Sequence, residues 1–112
     1  MVQNELFGLK QTTLEKIRSV FLRHPEIKKV ILYGSRAKGN YKSGSDIDIT
    51  IIIDNLSYNI ILKLQEDLDE LYLPYTFDIS IFQSIDNPDL IEHITRVGKI
   101  FYLREEDTSI NS

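Results

Sequence analysis

Cysteine is absent from this chain of 112 residues, and so is tryptophan. Without thiols there is neither a disulfide framework nor a thiolate metal site, which suits a reducing compartment. Proline occurs three times, at positions 25, 74 and 88, and each reads as an element boundary. Long hydrophobic runs are missing too. The longest, Ile47 to Ile53, is interrupted by Asp48 and Thr50, so nothing reads as a membrane span. The opening MVQNELFGLKQTT has no basic segment leading into an apolar one, so no secretory signal is expected and the default address is the cytoplasm. There is no repeat, low-complexity block or linker. The length suits one domain with one modest core, expected over residues 1–103, with 104–112 (REEDTSINS) as a disordered tail.

Positive charge is the scarcer sign: 13 Lys and Arg stand against 17 Asp and Glu, a net charge of −4. That balance argues against a general nucleic-acid binder, and no direct nucleic-acid substrate is expected. The distribution is uneven. Residues 1–45 hold nine basic and three acidic side chains, whereas residues 46–112 hold four and fourteen. A basic segment leading into a carboxylate cluster suits an anionic ligand bridged by cations; chance segregation is the competing explanation.

What is present is a succession of short periodic segments. Thr12 and Glu15 have capping-box spacing, and Leu14, Ile17, Val20 and Phe21 form a helical stripe that stops at His24-Pro25. KVILY (29–33) predicts a buried strand. GSRAKGNYKSGS (34–45), with three glycines, predicts a loop with at most one helical turn. Ile47 to Ile53 is the strongest strand. A helix after Ser57 carries Ile61, Leu64, Leu68 and Leu71 inward and ends at Pro74. YTFDISIF (75–82) is a third strand, Asn87-Pro88 opens a helix with Leu90, Ile94 and Val97 inward, and Ile100 to Leu103 adds a last strand. The fold class is α/β (α+β): a small mixed sheet with helices on one face.

In a strand, residues i and i+2 share a face. Asp46, Asp48 and Thr50 therefore point one way and Ile47, Ile49, Ile51 and Ile53 the other, and Thr76, Asp78 and Ser80 repeat the arrangement on the third strand. Three acids on one face of adjacent strands would repel, and a divalent cation is the natural compensation. Carboxylate-only ligation suits Mg²⁺ or Mn²⁺. The competing reading is three solvated strand residues on an open face, although Asp is poorly suited to strand interiors. Gly34-Ser35 bears on that choice. A glycine at a strand end lets a phosphate approach the backbone, and a following helical turn aims free N–H groups at it.

Gly34-Ser35, ten further residues, then Asp46-x-Asp48 resembles the G-S-x10-D-x-D motif of the polymerase-beta-like nucleotidyltransferases. The fuller string GSRAKGNYKSGSDIDI resembles the minimal nucleotidyltransferases, small antitoxins paired with HEPN-domain ribonuclease toxins. The likeness runs from about Val30 to Phe82, and GKIFYL (98–103) adds to it. It implies the polymerase-beta-like fold, with Gly34 and Ser35 on the β/γ phosphates of ATP. Two Mg²⁺ or Mn²⁺ ions would be held by Asp46 and Asp48, with Asp78 completing one site and taking the proton of the acceptor hydroxyl. Arg36 would pair with a phosphate or a partner protein, or else merely cap the loop. Ser45 would bind phosphate or orient a carboxylate, or else be a turn serine. Lys38 and Lys42 read as solvated loop charges, and His24 and His93 as surface residues.

The resemblance implies an enzyme that moves AMP from ATP to a hydroxyl, with a tyrosine of a HEPN toxin as acceptor and that toxin as partner. Two alternatives stand beside it. One is an antitoxin that neutralises by binding alone. The other is a small-molecule nucleotidyltransferase of the aminoglycoside type, which would normally carry a further substrate domain.

Overall fold

The structure, a computed structural model, describes residues 5–54 and 59–105. It opens with a hairpin that periodicity did not reveal: β1 (Glu5–Leu6) pairs antiparallel with β2 (Leu9–Lys10). Phe7 and Gly8 turn between them with φ of 60° and 76°, the two positive angles that a tight primed turn requires. β2 runs straight into α1 (Gln11–Leu22), whose N-cap is Lys10 without a side-chain cap bond. The expected capping box therefore does not form; Thr12 lies inside the helix, and Glu15 accepts from Gln11 Nε2 at 3.3 Å.

The central sheet has the order β5-β4-β3-β6. Its strands are β3 (Ile27–Tyr33), β4 (Ile47–Ile53), β5 (Phe77–Ile81) and β6 (Lys99–Leu103). β3 is antiparallel to β4 and β6, whereas β4 and β5 run parallel. A parallel pair needs a crossover, and α3 (Ile60–Asp69) lies within it. α3 stops before Pro74 because the chain leaves the helix at Leu71 and Tyr72, the latter at φ 54°. Ser57, expected to precede this helix, lies outside the described residues.

Ile47, Ile49, Ile51 and Ile53 point to one face with Val30 and Leu32, and are sealed by Leu14, Ile17, Val20 and Phe21 of α1 and by Ile60, Leu64 and Leu68 of α3. Each fully buried aliphatic side chain of this kind stabilises by about 1.5–3 kcal/mol relative to exposure. The α1 stripe thus does what its spacing predicts, as do Leu64 and Leu68, whereas the expected Ile61 and Leu71 are only partly buried and Ile60 takes the fully buried place. His24 ties the end of α1 to α3 through Asp67 at 2.7 Å, with a side chain only 11% exposed, so it is not the surface residue expected.

α4 (Pro88–Val97) departs from the one-sided arrangement. Asn87 caps it, accepting from the N–H of Asp89 at 2.9 Å. Ile94 is buried but stands apart from the main core cluster, and it approaches Ile31, which is in register with Thr50 on the sheet's other face. Helices therefore cover both faces. The reason lies in Ile31 and Tyr33, whose apolar surface on the carboxylate side needs cover. β6 extends past its last strand residue: Arg104, assigned from sequence to the tail, donates its backbone N–H to Lys28 O at 2.8 Å and binds Asp54 through its guanidinium at 2.7 Å. The rest of the expected tail, 106–112, lies outside the described residues. No described helix is long and apolar enough to cross a membrane.

Candidate active site

The register of three strands assembles the site. Tyr33 pairs with Asp48 across β3 and β4, and Asp48 pairs with Asp78 across β4 and β5, so the three residues form one row. The next row holds Ile31, Thr50 and Ser80. Asp46 stands two residues before Asp48, where the loop enters β4, and Ile47 is anchored to the lead-in of β5 by its N–H to Thr76 O at 2.9 Å. Asp46 and Asp78 are exposed and Asp48 is half-buried.

This crowding has an electrostatic signature. Burial, and then the charges of Asp78 and Asp46, push the Asp48 carboxyl above the ordinary carboxylate range, with His93 offsetting part of the effect. Among the described residues the acids do not close into a finished cage of three or more ligands. Their chemistry nevertheless fits a hard divalent cation: every donor is a carboxylate oxygen, and two of them sit on adjacent strands in register.

Gly34 follows Tyr33 with φ 75° and opens α2 (Gly34–Lys38), which ends at Gly39 with φ 91°. A Cβ on Gly34 would overlap Oδ2 of Asp48 and lie 3.2 Å from its Cγ. The backbone at residue 34 and the Asp48 carboxylate are thus packed as closely as glycine permits. The first N–H groups of α2 have no partner within a helix this short. Ser35 stands in that first turn and is half-buried.

Arg36 is a correction. It is 2% exposed, and its guanidinium donates to Ser45 O at 2.9 and 3.1 Å, to Phe7 O at 2.9 Å and to Ser43 O at 3.4 Å. It also lies over the rings of Tyr75 and Tyr41, at 4.9 and 5.4 Å from their centroids. A fork committed to three carbonyls and two aromatic faces is not free for phosphate, so the loop-capping alternative holds. Ser45 is likewise a turn serine: its Oγ accepts from the Lys42 N–H at 2.8 Å, and its own N–H donates to Lys42 O at 3.0 Å. Lys38 and Lys42 are exposed.

Sequence reasoning passed over Tyr33 and placed His93 on the surface; His93 is half-buried, and both residues border the carboxylates. Tyr33 is in the carboxylate row, and His93 of α4 meets its ring edge-on at 6.2 Å. Burial raises the Tyr33 phenol above its ordinary pKa, the Ser80 hydroxyl partly offsets that, and Asp78 and Asp48 add to it. Both residues had a signal in the sequence. Tyr33 alternates with Ile31 on the strand, and His93 falls on the same helical stripe as Leu90, Ile94 and Val97.

The family model for polymerase beta nucleotidyltransferases matches residues 15–107. The chain belongs to that family. A curated relative, the protein adenylyltransferase MntA of Aphanizomenon flos-aquae, is 29% identical over 106 residues, spanning 83% of this chain and 71% of the relative. Among solved structures, a toxin-antitoxin with AMP-PNP matches with a TM-score of 0.66 at 22% identity, covering 87% of this nucleotidyltransferase and 78% of that chain. A tri-AMPylated Shewanella oneidensis HEPN toxin in complex with its MNT antitoxin matches with a TM-score of 0.61 at 20% identity, covering 89% and 77%. At these identities the structural likeness establishes a common fold.

Proposed function

We propose that this nucleotidyltransferase moves AMP from ATP to a hydroxyl of a HEPN-domain toxin and thereby acts as its antitoxin. The observation that carries the reading is the row in which Asp48 stands beside Asp78 while Gly34 lies against the Asp48 carboxylate. It puts the backbone turn that opens α2 in close contact with carboxylates, donors of the kind a hard divalent cation takes. The curated MntA relative and the AMPylated toxin complex supply the acceptor class. The reading carries a cytoplasmic location with it, since ATP is there.

In this reading the Gly34–Ser35 turn receives the β and γ phosphates: the opening N–H groups of α2 and the Ser35 hydroxyl donate to phosphate oxygens, and the missing Cβ at Gly34 leaves room for the Asp48 carboxylate beside them. Asp46, Asp48 and Asp78 would hold two divalent cations, Mg²⁺ or Mn²⁺. When bound, these cations neutralise charge on the reacting phosphate and on the departing pyrophosphate. Asp78, exposed at the sheet's edge strand, takes the proton of the incoming hydroxyl. The acceptor oxygen bonds to the α-phosphorus as the bond to pyrophosphate breaks. Asp78 lies open on the surface, so the partner brings both the hydroxyl and part of the wall.

The test uses the cognate toxin, ATP and Mg²⁺ with intact-mass readout. The toxin should gain one adenylyl mass per modified hydroxyl with the wild type and none with Asp78→Ala, even where the complex still forms. If Asp78→Ala protects cells from the toxin as well as the wild type does, neutralisation is by binding alone and the catalytic reading is wrong.

A further inference from the structure

Part of the site is held from the β1–β2 hairpin, at the far end of the chain from β5 and α4. The loop from Gly39 to Ser45 is exposed along most of its length, and it delivers Asp46 to the carboxylate row. Little of it packs on the core. Arg36 restrains it instead. The side chain leaves α2, at the start of the loop, and its Nε and Nη2 both close on Ser45 O, at the end. Since Ser45 adjoins Asp46, this fork sets the span between the Gly34–Ser35 turn and the first carboxylate. The fork's other arm, Nη1, reaches Phe7 O in the turn of the hairpin. Among the described residues the guanidinium has no acid partner, so its place depends on these carbonyls and on the Tyr41 and Tyr75 rings.

The hairpin turn is itself fixed. The Phe7 ring stacks on Phe101 with centroids 5.9 Å apart, and Leu9 is fully buried in the core. Gly8, at φ 76°, lies so close to Tyr41 that a Cβ would overlap its ring, and the same Cβ would stand 3.0 Å from Arg36 Nη1. The Phe7–Gly8 turn therefore touches both ends of the brace: the guanidinium, and the loop tyrosine beneath it.

We infer that Arg36 and the Phe7–Gly8 turn form a positioning brace that sets Asp46 at its working distance from Gly34 and Ser35, so that nucleotide binding depends on the β1–β2 hairpin. Neither residue touches the nucleotide. The inference rests on the reading of the site as one for ATP, and it makes Arg36 a positioning residue acting through the loop.

The experiment uses the full chain and compares Gly8→Ala, Arg36→Lys and Arg36→Ala with the wild type. ATP affinity with Mg²⁺ is measured by calorimetry and local protection by amide hydrogen exchange. Gly8→Ala and Arg36→Lys should weaken ATP binding by about tenfold, about 1.4 kcal/mol. Exchange should quicken at 39–46 while the amides of α3 keep their protection. Millimolar guanidinium should restore part of the affinity of Arg36→Ala; if that variant does not fold, Gly8→Ala decides. A residue that served stability alone would lower the melting temperature and leave the folded fraction with normal affinity and normal loop protection. Wild-type affinity and wild-type exchange at 39–46 in Gly8→Ala would overturn the brace. If the wild type itself fails to bind ATP, the proposed function is what falls, and the exchange comparison still decides the brace.

Discussion

Gly34→Ala separates two costs that glycine avoids here, and Gly39→Ala supplies the matched control. Both glycines have left-handed backbone, at φ 75° and 91°. Forcing an L side chain into that region costs roughly 1–2 kcal/mol, and for a domain of this size each kcal/mol lowers the melting temperature by roughly 4–8 °C. On that ground alone the two variants should melt alike, both below the wild type. Their surroundings differ. A Cβ at 39 meets nothing within 4 Å, whereas one at 34 overlaps Oδ2 of Asp48 and lies 3.2 and 3.5 Å from its Cγ and Cβ. The Asp48 carboxylate is the free end of a side chain, so it can swing aside with little further loss of stability. What it loses is its place beside Asp78. Gly34→Ala should therefore cost about a hundredfold in AMP transfer, the order expected when a positioned group is displaced by about 1 Å. Gly39→Ala should retain near-normal transfer per folded molecule. Thermal melts and intact-mass time courses on the partner toxin read the two quantities separately. Equal activity losses in both variants, or normal transfer in Gly34→Ala, would refute the close-approach reasoning and leave Gly34 as a turn glycine.

Stability should also report the crowding of acids. Burial and the Asp78 and Asp46 charges hold the Asp48 carboxyl above its ordinary value, so the unfolded chain loses that proton at about pH 3.9 and the folded protein only at higher pH. The contribution is present below the unfolded value and is lost as pH rises through the folded one. Without divalent cations, Asp48→Asn should raise the melting temperature at neutral pH and flatten that slope; melts across a pH series that leave both unchanged would remove the repulsion. Asn87→Ala should cost about 1 kcal/mol by freeing the N–H groups that Asn87 caps at α4, read by denaturant unfolding. A loss of AMP transfer beyond that stability cost would show that α4 seating, and with it the His93–Tyr33 contact, matters to the site.

The residues alone determined the parts of this protein that follow from local rules. Alternation along 47–53 put Ile47, Ile49, Ile51 and Ile53 on one face and Asp48 on the other. The stripe at 14, 17, 20 and 21, and Leu64 and Leu68 of the second helix, sealed that apolar face, because a period near 3.6 has only one buried side; that Ile60 rather than Ile61 is fully buried came from the tertiary packing. The spacing from Gly34-Ser35 to Asp46-x-Asp48 marked the candidate site because its pieces are close in sequence. The remainder depended on contacts between distant segments. Only strand register decides that Asp48 stands beside Asp78 and Tyr33, since a slip of one residue would turn every side chain over. Arg36 looked like a phosphate ligand because its sequence neighbours are the glycine turn and the acids; the carbonyl that engages its Nη1 belongs to Phe7, which nothing local could place there. The hairpin escaped notice because two-residue strands carry no period, and α4 crossed to the second face because Ile31 and Tyr33 needed apolar cover there.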